Sequence, residues 1–221
     1  PLTGAWGEAE AGGFWPAEFK ATGYDALIIE GVAPEPCYLW IHDGGCEIRD
    51  AQHIWGKITG EAQDQIREEL EDQRVRVALI GPAGEKEVKF ACIANELKHF
   101  NGRNGMGAVM GSKNLKAVAV RGSGEVALAH REQFVDVSKT WEDAILAPRA
   151  PGEGMPALGA LLKDGGTIRI YNLIGAQHIL AAKNWTDPEW GREHGERLAA
   201  EARNWVIPPG DIRPLCSSIQ L

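Results

Sequence analysis

The sequence predicts an α+β fold, a strand-rich domain followed by a helical segment, on three observations. Asp43-Gly44 stands between two strand-like runs, 37–42 and 46–49, which is the pattern of a tight hairpin. One clear amphipathic helix, 59–71, sits among several strand-like runs, whereas a doubly wound sheet would alternate strand and helix throughout. After Gly122 the texture changes, and the remaining periodic segments are helical.

Taken in order, residues 1–24 are rich in Gly, Ala and aromatics and read as a loop leading into a short strand. The apolar run 25–31 reads as a buried strand. Cys37 and Cys46 fall on the two arms of the hairpin and are placed to face each other. In 59–71, Thr59 is positioned to cap, and Ala62, Ile66 and Leu70 recur at helical spacing among charged residues. Residues 74–81 read as the next strand, 82–85 as a turn, and the alternating run 87–94 as another strand. A glycine-rich loop over 102–111 leads into the strand 116–121. Beyond it, 131–146 reads as a helix with Phe134, Val137, Trp141 and Ile145 on one face, and 155–163 and 196–205 read as further helices. The boundary falls near 122–130, which gives a first domain over 1–125 and a second, incomplete one over 126–221.

Bulk properties narrow the function. A formal net charge of −8 without a basic stripe argues against a nucleic-acid surface. No apolar run approaches the length of a membrane span. The four cysteines, 37, 46, 92 and 216, form no Cys-x-x-Cys pair and read as reduced, buried thiols of a cytoplasmic protein. The six histidines show no His-x-His or His-x-x-x-His pairing, so a histidine metal site is not expected. No Gly-x-Ser-x-Gly nucleophile elbow is present.

The most informative stretch is 102–111, with glycines at 102, 105, 107 and 111. Glycine serves where backbone takes a positive φ or comes close to something, and exposed N–H groups suit phosphate. Both familiar phosphate loops fail on spacing. The dinucleotide fingerprint would need glycine at 110, where Met110 stands, and the P-loop needs four residues between its glycines, whereas Gly107 and Gly111 have three between them. A second glycine pair, Gly12-Gly13, lies near the start. A tight turn explains either segment alone; if the two meet in space, their main-chain groups form a two-sided cradle for an anionic cofactor. Lys113 and Lys116, beside the loop, are candidates for balancing phosphate charge, although surface lysines are commonplace.

The run Gly102-Arg-Asn-Gly-Met-Gly-Ala-Val-Met-Gly-Ser-Lys-Asn-Leu-Lys-Ala117 resembles the signature loop of the aldehyde:ferredoxin oxidoreductases, the tungsten (sometimes molybdenum) bis-pterin enzymes. Four further segments match in order: Pro1-Leu-Thr-Gly4; Gly12-Gly-Phe-Trp15 with Glu18-Phe-Lys-Ala-Thr-Gly-Tyr-Asp-Ala26; Glu47-Ile-Arg-Asp-Ala51 with His53-Ile-Trp-Gly-Lys57; and Ile80-Gly-Pro-Ala-Gly-Glu85. The match is strong to about residue 122 and looser beyond. The resemblance implies a domain that serves as platform for the metal–pterin cofactor, whose phosphates are bridged by magnesium. Contacts are implied from the backbone of Glu10, Ala11, Gly12 and Gly13, and of His99, Phe100, Asn101, Gly102 and Arg103, with Gly105 and Gly107 completing the loop. It also implies a [4Fe–4S] cluster in the full-length enzyme, with Cys216 aligned to the first ligand of a Cys-x-x-Cys-x-x-x-Cys motif; position 219 is Ile219. No catalytic side chain is expected in this chain. Implied partners are ferredoxin or another electron-transfer protein, a small aldehyde and a possible second copy in a homo-oligomer. Oxidation of aldehydes to carboxylic acids is the implied activity. A related carbonyl reaction, such as one on an aromatic acyl-thioester, and a fragment acting only as an interaction module are the alternatives. The chain departs from the family's usual Asn-Ser at Glu10-Ala11, and it is bulkier than usual at Lys98-His99-Phe100-Asn101. It also reads as starting partway through the family's first domain and ending before the downstream motifs.

Overall fold

A computed structural model describes residues 5–147, 174, 177–179 and 182–202. The chain divides into two compact units, Pro1–Ala127 and Leu128–Leu221. The first is built on a mixed six-stranded sheet. Its elements in order are α1 (Trp15–Ala21), β1 (Cys37–His42), β2 (Gly45–Asp50), a single 3₁₀ turn (Gln52–Ile54), α2 (Thr59–Glu69), β3 (Arg76–Leu79), α3 (Pro82–Glu85), β4 (Ile93–Asn95), β5 (His99–Asn101), α4 (Met106–Gly111) and β6 (Leu115–Arg121). The strand order is β2-β1-β6-β3-β4-β5, and every neighbouring pair is antiparallel except β1 with β6.

Alternation along the central strands divides the core in two. Tyr38, Val77, Leu79, Ala117 and Ala119 pack on one face with Ile54, Ala62 and Ile66, so α2 covers that side. Leu39, Ile41, Val118 and Val120 pack on the other with Ile80 and Met110, against Trp15 and Phe19 of α1. With both faces covered, β6 is buried over its first six residues, which explains its nearly unbroken apolar run. The one charged residue in that run, Lys116, is fully buried and is paired with the Glu85 carboxylate. It also donates to Lys57 O at 2.9 Å, while the other Glu85 oxygen accepts from Gly56 N at 2.8 Å. Burial pushes the Lys116 ammonium below its ordinary value, and Glu85 pulls in the opposite direction. Lys116 is therefore a core ion pair, and its expected part in balancing phosphate charge falls away.

The hairpin and the α2 and α5 segments form where the sequence placed them, with other elements differing for physical reasons. The run 25–31 forms no strand: Ile28 is exposed and only Ile29 joins the core, because both edges of β1 are already taken by β2 and β6. The region after Gly12-Gly13 is a helix, α1, with Pro16 in its first turn and Trp15 stacked on Phe19. The expected strand 87–94 shrinks to Ile93–Asn95; Glu87 takes φ 53 and Ala91 N turns back to Val88 O, which breaks the ladder upstream. The second half of the glycine stretch is a helix rather than a loop. Ile58, not Thr59, occupies the cap of α2. In the hairpin, Cys37 lies opposite Asp50 and Cys46 opposite Ile41, so the two thiols do not face each other, and Cys46 is exposed.

In the second unit, α5 (Arg131–Leu146) carries Phe134, Val137, Trp141 and Ile145 exposed. Helix α6 (Pro188–Ala202) begins beside Asp187, whose Oδ1 accepts from Trp190 N at 3.2 Å. The expected helix 155–163 lies outside the described residues, as does the end of 196–205.

A second polar knot closes the first unit. Asp72 accepts from Arg74 N at 2.8 Å and from Arg121 Nε at 2.9 Å, while Arg121 also pairs with Glu18. Hydrogen bonds from the Arg74 side chain and backbone, and then from Arg121, hold the Asp72 carboxyl well below the carboxylate range. A carboxyl depressed in the folded state adds stability above its ordinary value of 3.8 and loses it as pH falls below that value. Asp72→Asn is thus expected to lower the urea midpoint at neutral pH, with the gap to wild type closing on acidification. For the buried pair, Glu85→Leu is expected to cost about 3–5 kcal/mol because it strands the Lys116 charge. Glu85→Leu/Lys116→Met should cost less than the two single changes added, as measured by a denaturant double-mutant cycle.

Candidate functional site

The N-terminal segment 5–12 belongs to no strand or helix, so its path has to be set by contacts from elsewhere. Those contacts come from one stretch, 95–104, that runs from the end of β4 through β5 to the start of α4. Asn95 Nδ2 donates to Gly12 O at 2.8 Å, and Asn101 Nδ2 donates to Ala9 O at 2.8 Å. Asn104 Nδ2 donates to Glu8 O. Both oxygens of the Glu96 carboxylate accept from Phe14 N, at 2.9 Å each. The Phe14 ring is in turn covered by the Arg76 guanidinium, 4.8 Å from its centroid.

Where the two segments meet, Glu8, Ala9, Glu10, Phe100, Gly102 and Arg103 line an open pocket of about 620 Å³. Among the described residues, no hydrogen bond uses the main-chain N–H groups of Glu10, Ala11, Gly102 or Arg103, and no ion pair holds the Arg103 guanidinium. The pocket therefore presents unused donors and one unpaired cation, together with the carboxylates of Glu8 and Glu10. Among the described residues no cluster of three or more His, Cys, Asp or Glu side chains is placed to hold a metal ion.

The residues singled out from sequence separate into three groups. Glu10, Phe100, Gly102 and Arg103 share the pocket. Gly12 and Gly13 make the adjoining turn. Gly13 sits at φ 98, and a side chain there would meet Glu96 Oε2 at 2.3 Å and the His99 ring at 2.7 Å. Ala11 and Asn101 do not line the pocket; Ala11 joins Gly12 to Glu10 in the chain, and Asn101 fixes Ala9 through the Ala9 carbonyl. Gly105 and Gly107 are not lining residues. Gly105 takes φ 69 to open α4. Gly107 donates to Ala91 O at 3.0 Å, and a Cβ on it would lie 2.4 Å from Cys92 O. Gly111 is more confined still, with Gly84 O only 1.9 Å from its notional Cβ. These two glycines let α4 press against α3 and residues 91–92, so packing is sufficient reason for their bareness. Cys216 lies outside the described residues. Sequence reasoning missed Asn95, Glu96 and Asn104. The available signal was a polar, non-repeating stretch just ahead of the glycines, which on its own looks like any solvated turn.

The model of the aldehyde ferredoxin oxidoreductase N-terminal domain matches residues 1–122, more than half of the chain. The chain belongs to the aldehyde ferredoxin oxidoreductase family. It is 42% identical over 204 residues to the tungsten-containing aldehyde ferredoxin oxidoreductase of Pyrococcus furiosus, a match that spans 91% of this chain and 33% of the relative. The aliphatic sulfonate oxidoreductase, WOR-like subunit, of the same organism is 46% identical over 119 residues, 48% of this chain and 19% of that protein. Among solved structures, the active-site complex BamBC of benzoyl coenzyme A reductase with 1,5-dienoyl-CoA is similar with a TM-score of 0.62 and 40% identity, covering 67% of this chain and 23% of that one. The chain spans about a third of the length of the tungsten-containing relatives it matches. Membership of the family accords with the mixed sheet and its flanking helices.

The packing role of the α3–α4 contact yields a stability expectation. Gly111→Ala, which needs the α3 backbone to retreat, should lower the unfolding free energy by about 3 kcal/mol, measured by urea denaturation.

Proposed function

We propose that this chain is the cofactor-platform portion of a tungstopterin (or molybdopterin) oxidoreductase, and that the pocket between 8–13 and 99–103 holds the phosphate end of the pterins. The observation that carries this reading is the set of unused main-chain N–H groups at Glu10, Gly102 and Arg103, three residues that line an open pocket, with that of Ala11 next in the chain and the Arg103 guanidinium unpaired. Backbone N–H groups converging from two loops are a generic anion cradle, and Arg103 adds a full charge. The residues present fit such a group, with one condition. Glu8 and Glu10, among the lining residues, oppose a bare anion, and a magnesium ion bound with the phosphates would offset that repulsion; the main-chain carbonyls of Glu10 and Ala11, which accept no hydrogen bond among the described residues, would be the groups to hold it.

When bound, the metal–pterin supplies the two-electron chemistry of aldehyde oxidation to the carboxylic acid. The work of this chain is to bind and orient that group with main-chain atoms. None of its side chains is assigned a proton-transfer role. In this reading electrons leave through a [4Fe–4S] cluster, for which Cys216 is the proposed first ligand, to ferredoxin or a similar carrier. The full protein acts in the cytoplasm on a small aldehyde and is open to pairing with a second copy. Support for the tungsten assignment comes from the relatives named as tungsten-containing. Among the described residues no helix is long and apolar enough to cross a membrane. A second reading, action on an aromatic acyl-thioester, is favoured by the likeness to the benzoyl coenzyme A reductase complex. Turnover of aldehydes against aromatic acyl-CoA esters by the full-length enzyme separates the two.

Gly12 offers a clean test of the cradle. It is exposed, and a Cβ on it would meet only the His99 ring, at an ordinary 3.5 Å. Gly12→Val in the full-length enzyme should therefore leave melting almost unchanged while tungsten and pterin per chain, measured by elemental and cofactor analysis after anaerobic purification, drop sharply. Full loading would remove the pocket from consideration.

A further inference from the structure

We infer that Glu96, supported by Asn95, is the positioning device of this site: the β4–β5 turn moulds the Gly12-Gly13 turn into the shape that accepts the cofactor. The inference rests on the reading of the pocket given above.

Four features converge on it. Glu96 and Leu97 both hold left-handed backbone, at φ 54 and φ 59, in a turn that contains no glycine. Such conformations are strained in residues with a side chain and persist only where surroundings impose them. The result of this strained turn is to deliver the Glu96 side chain inward, 11% exposed, against the backbone of the opposite segment. There both carboxylate oxygens engage a single N–H, that of Phe14, 82 residues away in sequence. A carboxylate accepting from backbone N–H is a charge-assisted bond, stronger than a neutral one. Next to it, Asn95, 4% exposed, takes the Gly12 carbonyl at 2.8 Å. The two consecutive residues thus grip the glycine pair from both ends, one by the carbonyl of its first member and one by the N–H that follows its second.

The fit is close enough to dictate the sequence on the other side. A side chain on residue 13 would coincide with Glu96 Oε2, His99 and Asn95 Nδ2, all within 2.8 Å. Gly13 is bare because its φ of 98 suits glycine and because its missing side chain leaves room for Glu96, whereas Gly12 is bare toward open space. His99, 12% exposed and 3.9 Å from the Glu96 carboxylate, closes the remaining side of the clamp. Glu96 does not line the pocket itself and acts only through the turn.

The test uses the full-length enzyme and three variants, Glu96→Ala, Glu96→Gln and Asn95→Leu. Tungsten and pterin content, thermal melting and hydrogen exchange at the Phe14 amide are read for each. Loss of the charge-assisted acceptor should make the Phe14 amide exchange about tenfold faster and lower the cofactor content about tenfold in Glu96→Ala, with cooperative melting retained. Glu96→Gln, which keeps an acceptor oxygen in place, should restore both. Should Glu96→Ala fail to fold, Asn95→Leu carries the same expectation through the Gly12 carbonyl. A fully loaded Glu96→Ala overturns the inference, and so does a Glu96→Gln that is as empty as the alanine variant. If instead wild type itself lacks tungsten and pterin, or Gly12→Val loads normally, the pocket reading fails, while the Phe14 exchange rate still reports whether the clamp exists.

Discussion

Chain atoms at 8–14 have no regular structure of their own to hold them, and the site depends on how that deficit is met. A loop with unpartnered backbone groups is expensive unless water or side chains take them up. Here Asn95, Glu96, Asn101 and Asn104 take four of them, at Gly12 O, Phe14 N, Ala9 O and Glu8 O. The pairing leaves the N–H and C=O groups of Glu10 and Ala11 unclaimed among the described residues. The segment is thus pinned on either side of the two residues that are free to bind. Pinned loops with a short unpinned centre keep a defined shape without a strand ladder, which would have consumed the same donors and acceptors.

The stretch that does the pinning is itself fixed by the sheet and by α4. Strand β5 pairs with β4 through Ala94 opposite Phe100, and β4 pairs with the core strand β3. At the other end, Gly107 and Gly111 bring α4 into backbone contact with α3 and residues 91–92. The chain from 95 to 104 is therefore clamped at both ends before it reaches across. This explains a glycine-rich signature that is only partly about the ligand. Its first member, Gly102, sits at the pocket, and the later members secure the floor beneath it.

That division also sets how much was legible in the residues. The hairpin at 37–50 and helix 131–146 were plain, because local turn chemistry and periodicity decide them. The convergence of Gly12-Gly13 with 99–103 was legible only as a condition, since contact between segments more than 80 residues apart leaves no local trace. Glu87–Ala94 misled because alternation survives in a stretch whose backbone turns at Glu87, and 25–31 misled because an apolar run says nothing about whether a sheet edge is free. Lys116 reads as a surface lysine beside the loop although it opens the expected strand 116–121; its burial follows from the interior place of that strand in the sheet, which long-range pairing sets and no local pattern announces. Asn95 and Glu96 were invisible for the opposite reason. Polar residues at a turn are usually solvated, and only their long-range partners make them otherwise.

The electrostatics of the pocket follow from where each basic residue spends its charge. Lys116 is desolvated and committed to Glu85, and Lys113 donates to Gly31 O at 3.1 Å on the surface. Arg76 lies over Phe14, and Arg121 is shared between Glu18 and Asp72. Of the cations flanking the glycine stretch, Arg103 is left to face the pocket, opposed by two carboxylates and set in a chain of net charge −8. A site that bound an anion by net positive charge would not be built this way. Main-chain dipoles held rigidly are the remaining source of attraction, and they act only at hydrogen-bond range, so they reward shape over charge. That is the physical reason a clamp that fixes loop shape matters more here than another lysine would.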